Sequence, residues 1–114
     1  MIRIYHNPRC SKSRAALALL EQHGKPFEVV HYLDTPLDDE QIRALLDLLK
    51  IDARSLLRTG EDDYKALRLD DPELDDDALV GAMVAHPKLI QRPIVTANGR
   101  AAIGRPPEAV LAIL

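Results

Sequence analysis

Hydrophobic positions change their spacing several times along the chain, and each change marks an element. Ile2 to Tyr5 is a short apolar run broken by Asn7-Pro8, which predicts a strand. Ser11 to His23 places Ala16, Leu17 and Leu20 at helical spacing and ends in the stop signals Gly24 and Pro26. Phe27 to Leu33 alternates and is rich in Val and aromatic residues, which predicts a second strand. From Asp38 the period is helical again: Asp38 is a cap with Gln41 in capping-box position, and Ile42, Leu45, Leu46 and Leu49 share a face. Two shorter helices are predicted at Ala53 to Leu57, stopped near Gly60, and at Asp62 to Leu67. Another is predicted at Asp75 to Val84, with Leu79, Val80 and Met83 apolar and Pro87 ending it. Ile94 to Ala97, Asn98-Gly99 and Arg100 to Ile103 form a hairpin signal, because Asn-Gly suits the positive φ values of a type I′ turn. Pro106 and Pro107 fit the start of a last helix, Glu108 to Leu114, with Val110, Leu111 and Leu114 toward the core.

The order is strand, helix, strand, a helical insertion over about residues 34–91, hairpin, helix. Without the insertion this is the order of the thioredoxin fold: an α/β protein with a mixed sheet of four strands, the insertion falling between the second and third. The right-handed crossover rule makes the first two strands parallel, and the hairpin strands are antiparallel. A length of 114 residues suits a single domain over residues 1–114, with no internal repeat or linker.

The formal net charge of −3 hides a division. Asp34 to Asp77 holds fifteen acidic and six basic residues, a net of −9, and the remainder holds three acidic and nine basic, a net of +6. Arg9, Lys12, Arg14, Arg92, Arg100 and Arg105 lie in the positive part, which points to an anion site. A nucleic-acid module is disfavoured, since it would be basic throughout and supply stacking aromatics, and this chain has three tyrosines, one phenylalanine and no tryptophan. The acidic middle reads as solvated helix faces. The longest apolar run, Ala15 to Leu20, covers six residues, so neither a signal peptide nor a membrane span is expected. A single unpaired cysteine fits a reducing compartment, and a cytoplasmic location is expected.

That cysteine, Cys10, falls between the first strand and the first helix with cations around it, where a thiolate is stabilised. In the expected fold this is the carboxyl end of a strand and the amino end of a helix, the usual place for a ligand in an open α/β sheet. The plainer reading is a small buried hydrophobe. Cys10 and Ser13 form a Cys-x-x-Ser arrangement, in which the hydroxyl can hydrogen-bond the thiolate but cannot form a disulfide. Any turnover then needs an external thiol. Arg14 either faces the thiol or is an ordinary exposed cation, and Lys12 reads as the latter. His6 either tunes Cys10 or is a structural, hydrogen-bonded imidazole. His23, His31 and His86 are scattered and make no zinc pattern with one cysteine, so no metal site is expected. The phosphatase spacing of cysteine, five residues, arginine is absent, because position 16 is Ala.

His6-Asn7-Pro8-x-Cys10-x-x-Ser13-Arg14, Leu56-Leu57-Arg58, Arg92-Pro93-Ile94-Val95 and Arg105-Pro106 match in order and interval the glutaredoxin-coupled arsenate reductase family of thioredoxin-like fold. Tyr32-Leu33, Thr35-Pro36 and His86-Pro87 also resemble it, so the likeness spans essentially the whole chain, in the manner of the family's short branch. The resemblance implies that Cys10 is the nucleophile, that Arg58, Arg92 and Arg105 bind arsenate or a similar oxyanion, and that Pro93 is a cis-proline facing the cysteine. Arginine suits that role, since its planar guanidinium stays charged and contacts oxyanions through two donors. It also implies glutathione as co-substrate, glutaredoxin as the partner that resolves a mixed disulfide, and no bound cofactor. Two other readings stay open: a glutathione-dependent thiol oxidoreductase with another substrate, and a polymerase-binding adaptor in which the cysteine is a redox switch. The missing second cysteine disfavours the adaptor.

Overall fold

Four short strands, β1 (Ile2–Tyr5), β2 (Phe27–Val30), β3 (Ile94–Ala97) and β4 (Arg100–Ile103), form one sheet in the order β2-β1-β3-β4 in a computed structural model that describes residues 1–114. β1 runs parallel to β2, with Ile4 opposite Val29, and antiparallel to β3, with Ile4 opposite Val95. β3 and β4 form the expected hairpin, with Ala97 opposite Arg100 and positive φ at both Asn98 and Gly99. The parallel crossover is made by α1 (Ser11–His23), which ends at Gly24 in the left-handed conformation that glycine adopts without strain.

Residues Met1–Thr35 and Arg92–Leu114 form one compact unit around this sheet. Ile4, Val95 and Ala97 from the strands meet Ala16 and Leu20 of α1 and Val110 and Ile113 of the carboxyl-terminal turns, all 8 % exposed or less. Burying an aliphatic side chain of this size is worth about 1.5–3 kcal/mol, so this cluster holds β1 against the body of α1.

Pro36–Gln91 form the second unit, which contains α2 (Asp39–Leu49), α3 (Ala53–Leu56), α4 (Asp62–Ala66) and α5 (Asp76–Ala85). Asp38 and Gln41 make the expected capping box, with Gln41 N–H donating to Asp38 Oδ1 at 2.8 Å and Asp38 N–H to Gln41 Oε1 at 2.9 Å. Asp52 and Asp75 cap α3 and α5 through the amides of Ser55 and Ala78.

Several expected boundaries move. β2 ends at Val30, not Leu33, because the His31 carbonyl accepts the amides of Asp34 and Thr35 and turns the chain. α3 ends at Leu56 because the next residue is extended and bridges Ile90, a distant pairing that local pattern does not reveal. Pro87 starts a 3₁₀ turn, Pro87–Leu89, as well as closing α5. The last element is a 3₁₀ helix, Pro107–Ile113, not an α-helix, with Ala109 N–H donating to Pro106 O and Leu114 N–H to Leu111 O.

Candidate active site

Cys10 is the N-cap of α1, with extended backbone (φ −96°, ψ 123°) and no capping bond from its side chain. The loop before it is tied at both ends. His6 N–H donates to Val30 O at 2.9 Å, which continues the β1–β2 pairing for one residue, and Arg14 N–H donates to Cys10 O at 3.0 Å. Arg14 Nη1 donates to Pro8 O at 2.9 Å, so Arg14 ties the loop, and its reading as a cation directed at the thiol is not what the structure shows.

The Cys10 side chain is nearly covered, at 9 % exposure, and two arginines from the far end of the same unit attend it. Arg105 Nη2 lies 3.6 Å from Cys10 Sγ, while Arg105 Nε donates to the Arg92 carbonyl at 2.9 Å. Burial pushes the thiol up, and this is the largest single influence on it. The nearby Ser13 amide, the Arg92 guanidinium with its charge and the Lys12 amide all favour the thiolate; they outweigh burial and hold Cys10 below the ordinary thiol range. The depression comes from the first amides of α1 and from Arg92, not from Arg14.

The Ser13 hydroxyl does not serve the sulfur. It is fully buried, lies 2.6 Å from His6 Nδ1 and accepts Asn7 N–H at 3.0 Å. His6, 4 % exposed, meets His31 edge to face, with ring centroids 6.1 Å apart. Burial first, then the charges of His31 and Arg14, hold His6 below the ordinary imidazole range, so it is neutral at neutral pH. Of the two readings of His6, its contacts match the structural one.

Arg92-Pro93 is a cis bond, as the resemblance implied, and Arg105-Pro106 is a second that was not foreseen. Gly104 N–H donates to Pro93 O at 2.8 Å, and a β-carbon on Gly104 would stand 2.7 Å from Pro93 Cγ. Only glycine lets the backbone approach Pro93 this closely. Gly104 was not singled out from sequence, and Asn7 entered only as a strand breaker and as a member of the motif around Cys10. The available signals were an isolated glycine closing a strand, and an Asx-Pro pair before a helix cap.

Arg58 belongs to the helical unit, just after α3. Its amide donates to Leu89 O at 2.7 Å, its Nε pairs with Glu61 Oε1 at 3.2 Å and its Nη1 donates to Gln91 Oε1 at 3.4 Å. Of these partners Glu61 lies in the acidic stretch Asp34 to Asp77, and it forms an ion pair with Arg58. No three His, Cys, Asp or Glu side chains are grouped to hold a metal ion, and no helix is long and apolar enough to cross a membrane. Within the sheet unit the arrangement offers a nucleophilic sulfur, two helix amides and two fixed positive charges, which suits attack on an anionic electrophile.

The ArsC family model matches residues 5–113. An arsenate reductase of Neisseria meningitidis serogroup A is 54% identical over 114 residues, covering 99% of this chain and 97% of the relative. The Escherichia coli protein YfgD, described as uncharacterized, is 56% identical over 114 residues, covering 99% and 96%. Among solved structures, arsenate reductase from Vibrio cholerae matches with a TM-score of 0.97 at 52% identity, covering 99% of this chain and 97% of that one. The sheet order and crossover are those of the thioredoxin-like fold these neighbours share.

Proposed function

The chain belongs to the ArsC family, and from that membership we propose that it is a glutathione- and glutaredoxin-dependent arsenate reductase working through one cysteine. The observation that carries the proposal is the setting of Cys10 Sγ, with Arg105 at 3.6 Å and its ionisation favoured by the amides of Ser13 and Lys12 and by Arg92. Thiolate is the attacking species, and guanidinium groups complement a tetrahedral oxyanion.

In the proposed sequence the Cys10 thiolate attacks pentavalent arsenic, forming an S–As bond as one arsenate oxygen leaves, protonated, as water. The sulfur of glutathione then attacks Cys10 Sγ. An S–S bond forms, the electron pair of the S–As bond stays on arsenic, and trivalent arsenite departs. Cys10 is left as a mixed disulfide with glutathione, which the thiolate of glutaredoxin opens by thiol–disulfide exchange. Ser13, where a resolving cysteine would stand, cannot do this, and Cys10 is the only cysteine. Arg92 and Arg105 hold the oxyanion and the charge that develops on it. Arg58 enters on the family resemblance alone as the third cation. A reducing cytoplasm suits a reaction that consumes glutathione and a thiol that must stay free.

The test is arsenite production from arsenate with glutathione and glutaredoxin, alongside Cys10→Ser. Cysteine-dependent arsenite that needs both co-reactants supports the proposal. Cysteine-dependent reduction of another oxyanion or of protein disulfides, with arsenate inert, replaces it with the broader thiol oxidoreductase.

A further inference from the structure

Asn7 has no part in the chemistry above, yet it makes three hydrogen bonds within the cysteine loop. It is a polar side chain buried to 7 % exposure. Its Oδ1 accepts the Arg9 amide at 3.0 Å, its carbonyl accepts the Cys10 amide at 3.0 Å, and its own amide donates to Ser13 Oγ at 3.0 Å. One residue thus ties together the residue before the cysteine, the cysteine itself and the first turn of α1. The intervening Pro8 has a fixed φ and no N–H, which removes competing loop arrangements.

These bonds fix the backbone that carries the sulfur. With the Arg9 and Cys10 amides directed onto Asn7, Cys10 is held at the start of α1, where the Lys12 and Ser13 amides favour its thiolate. The side-chain acceptor at residue 7 closes an Asx turn, which holds residue 9 and so the approach to the cap. Without it, the backbone from Pro8 to Cys10 regains freedom, and the sulfur no longer stays where two amides and two guanidinium groups converge. Arg92 and Arg105 enter from the β3–β4 end of the sheet and do not depend on this turn.

We propose that Asn7 is a positioning residue for the thiol, acting through the loop and touching neither substrate nor sulfur. The inference rests on Cys10 being the nucleophile, and its primary test needs no arsenate. The rate of Cys10 alkylation is measured against pH in the full chain for wild type, Asn7→Ala and Asn7→Ser. Alanine removes the acceptor. Serine keeps a shorter and weaker one that still forms this class of turn. The alkylation midpoint is expected to rise in both variants, more in Asn7→Ala, while thermal melts remain cooperative. In the arsenate assay kcat is expected to fall roughly 10- to 100-fold in Asn7→Ala, as small displacements of a reacting group do, with the arsenate KM within about twofold of wild type. Wild-type alkylation profiles in both variants overturn the proposal. If Asn7→Ala does not fold, Asn7→Ser decides alone: a raised midpoint supports the proposal and a wild-type midpoint overturns it. Failure of wild type to make arsenite would remove the proposed activity and leave the alkylation result standing.

Discussion

Arg105 spans two groups with one guanidinium: Nη2 lies 3.6 Å from Cys10 Sγ while Nε donates to the Arg92 carbonyl at 2.9 Å. The second bond fixes the first, because a planar fork held at one nitrogen has little freedom at the others. Lysine has a single ammonium and can satisfy only one of these partners at a time. Arg105→Lys is therefore expected to lower kcat/KM for arsenate about 100-fold, the usual cost of one misplaced oxyanion donor, while the thermal midpoint shifts little. Steady-state kinetics beside a melting curve checks this, and near wild-type turnover in the lysine variant would remove Arg105 from the site.

Cys10 is held below the ordinary thiol range against the effect of its own burial, with Ser13, Arg92 and Lys12 supplying the stabilisation. Alkylation of the native protein should accordingly stay fast below the pH at which an unfolded thiol slows. In Arg92→Gln the profile should move up toward that of the denatured chain. A depressed acid gives stability that is complete above its unfolded pKa and is lost as pH falls through the folded one. The stability difference between wild type and Cys10→Ser should therefore grow with rising pH, as urea melts at several pH values would show.

His6 titrates with the same sign for a different reason. Burial and the neighbouring His31 and Arg14 hold it below its ordinary value of 6.5. On acidification the unfolded chain takes up this proton first, so the stability from neutral His6 is present above 6.5 and lost as pH falls through the lower native value. His6→Gln should flatten the acid limb of the stability–pH curve. An unchanged acid limb would count against a buried neutral imidazole.

Gly104 should tolerate no side chain. A β-carbon there would meet Pro93 Cγ at 2.7 Å and Val110 Cγ1 at 3.3 Å. Gly104→Ala is expected to cost about 1–3 kcal/mol in chemical denaturation, the range for overpacking a closed site, and to reduce turnover by displacing the segment that carries Arg92. Full activity and stability in this variant would mean that the Pro93 segment yields without consequence.

The parts of the molecule that rest on local rules were legible in the chain. The Asp38–Gln41 capping box, the Asn98-Gly99 turn and the Gly24 stop are each decided by a few neighbouring residues, and each is present. Cys10 at a strand-to-helix turn was legible for the same reason. What could not be read were outcomes set by distant partners: the Leu57–Ile90 bridge that ends α3, and the closeness of Gly104 to Pro93. Side-chain direction was equally hidden. Ser13 at the Cys-x-x-Ser spacing gave no sign that its hydroxyl would turn to His6 and Asn7, nor Arg14 that it would hold Pro8 O. The convergence of Arg105 on Cys10 was implied by resemblance and not by any spacing, since 95 positions separate them.

The central strand pairing sets a timetable for the chain's own production. β1 lies between β2 and β3, and its Arg3 stands opposite Thr96, so the middle of the sheet joins an early segment to a late one across the whole helical unit. A ribosome emits the helical unit, with its local caps, well before β3 exists, and contacts so distant in sequence form late. Through most of synthesis Cys10 therefore lacks both Arg92 and Arg105, and the two guanidinium groups that attend its sulfur arrive only with the last stretch of the chain.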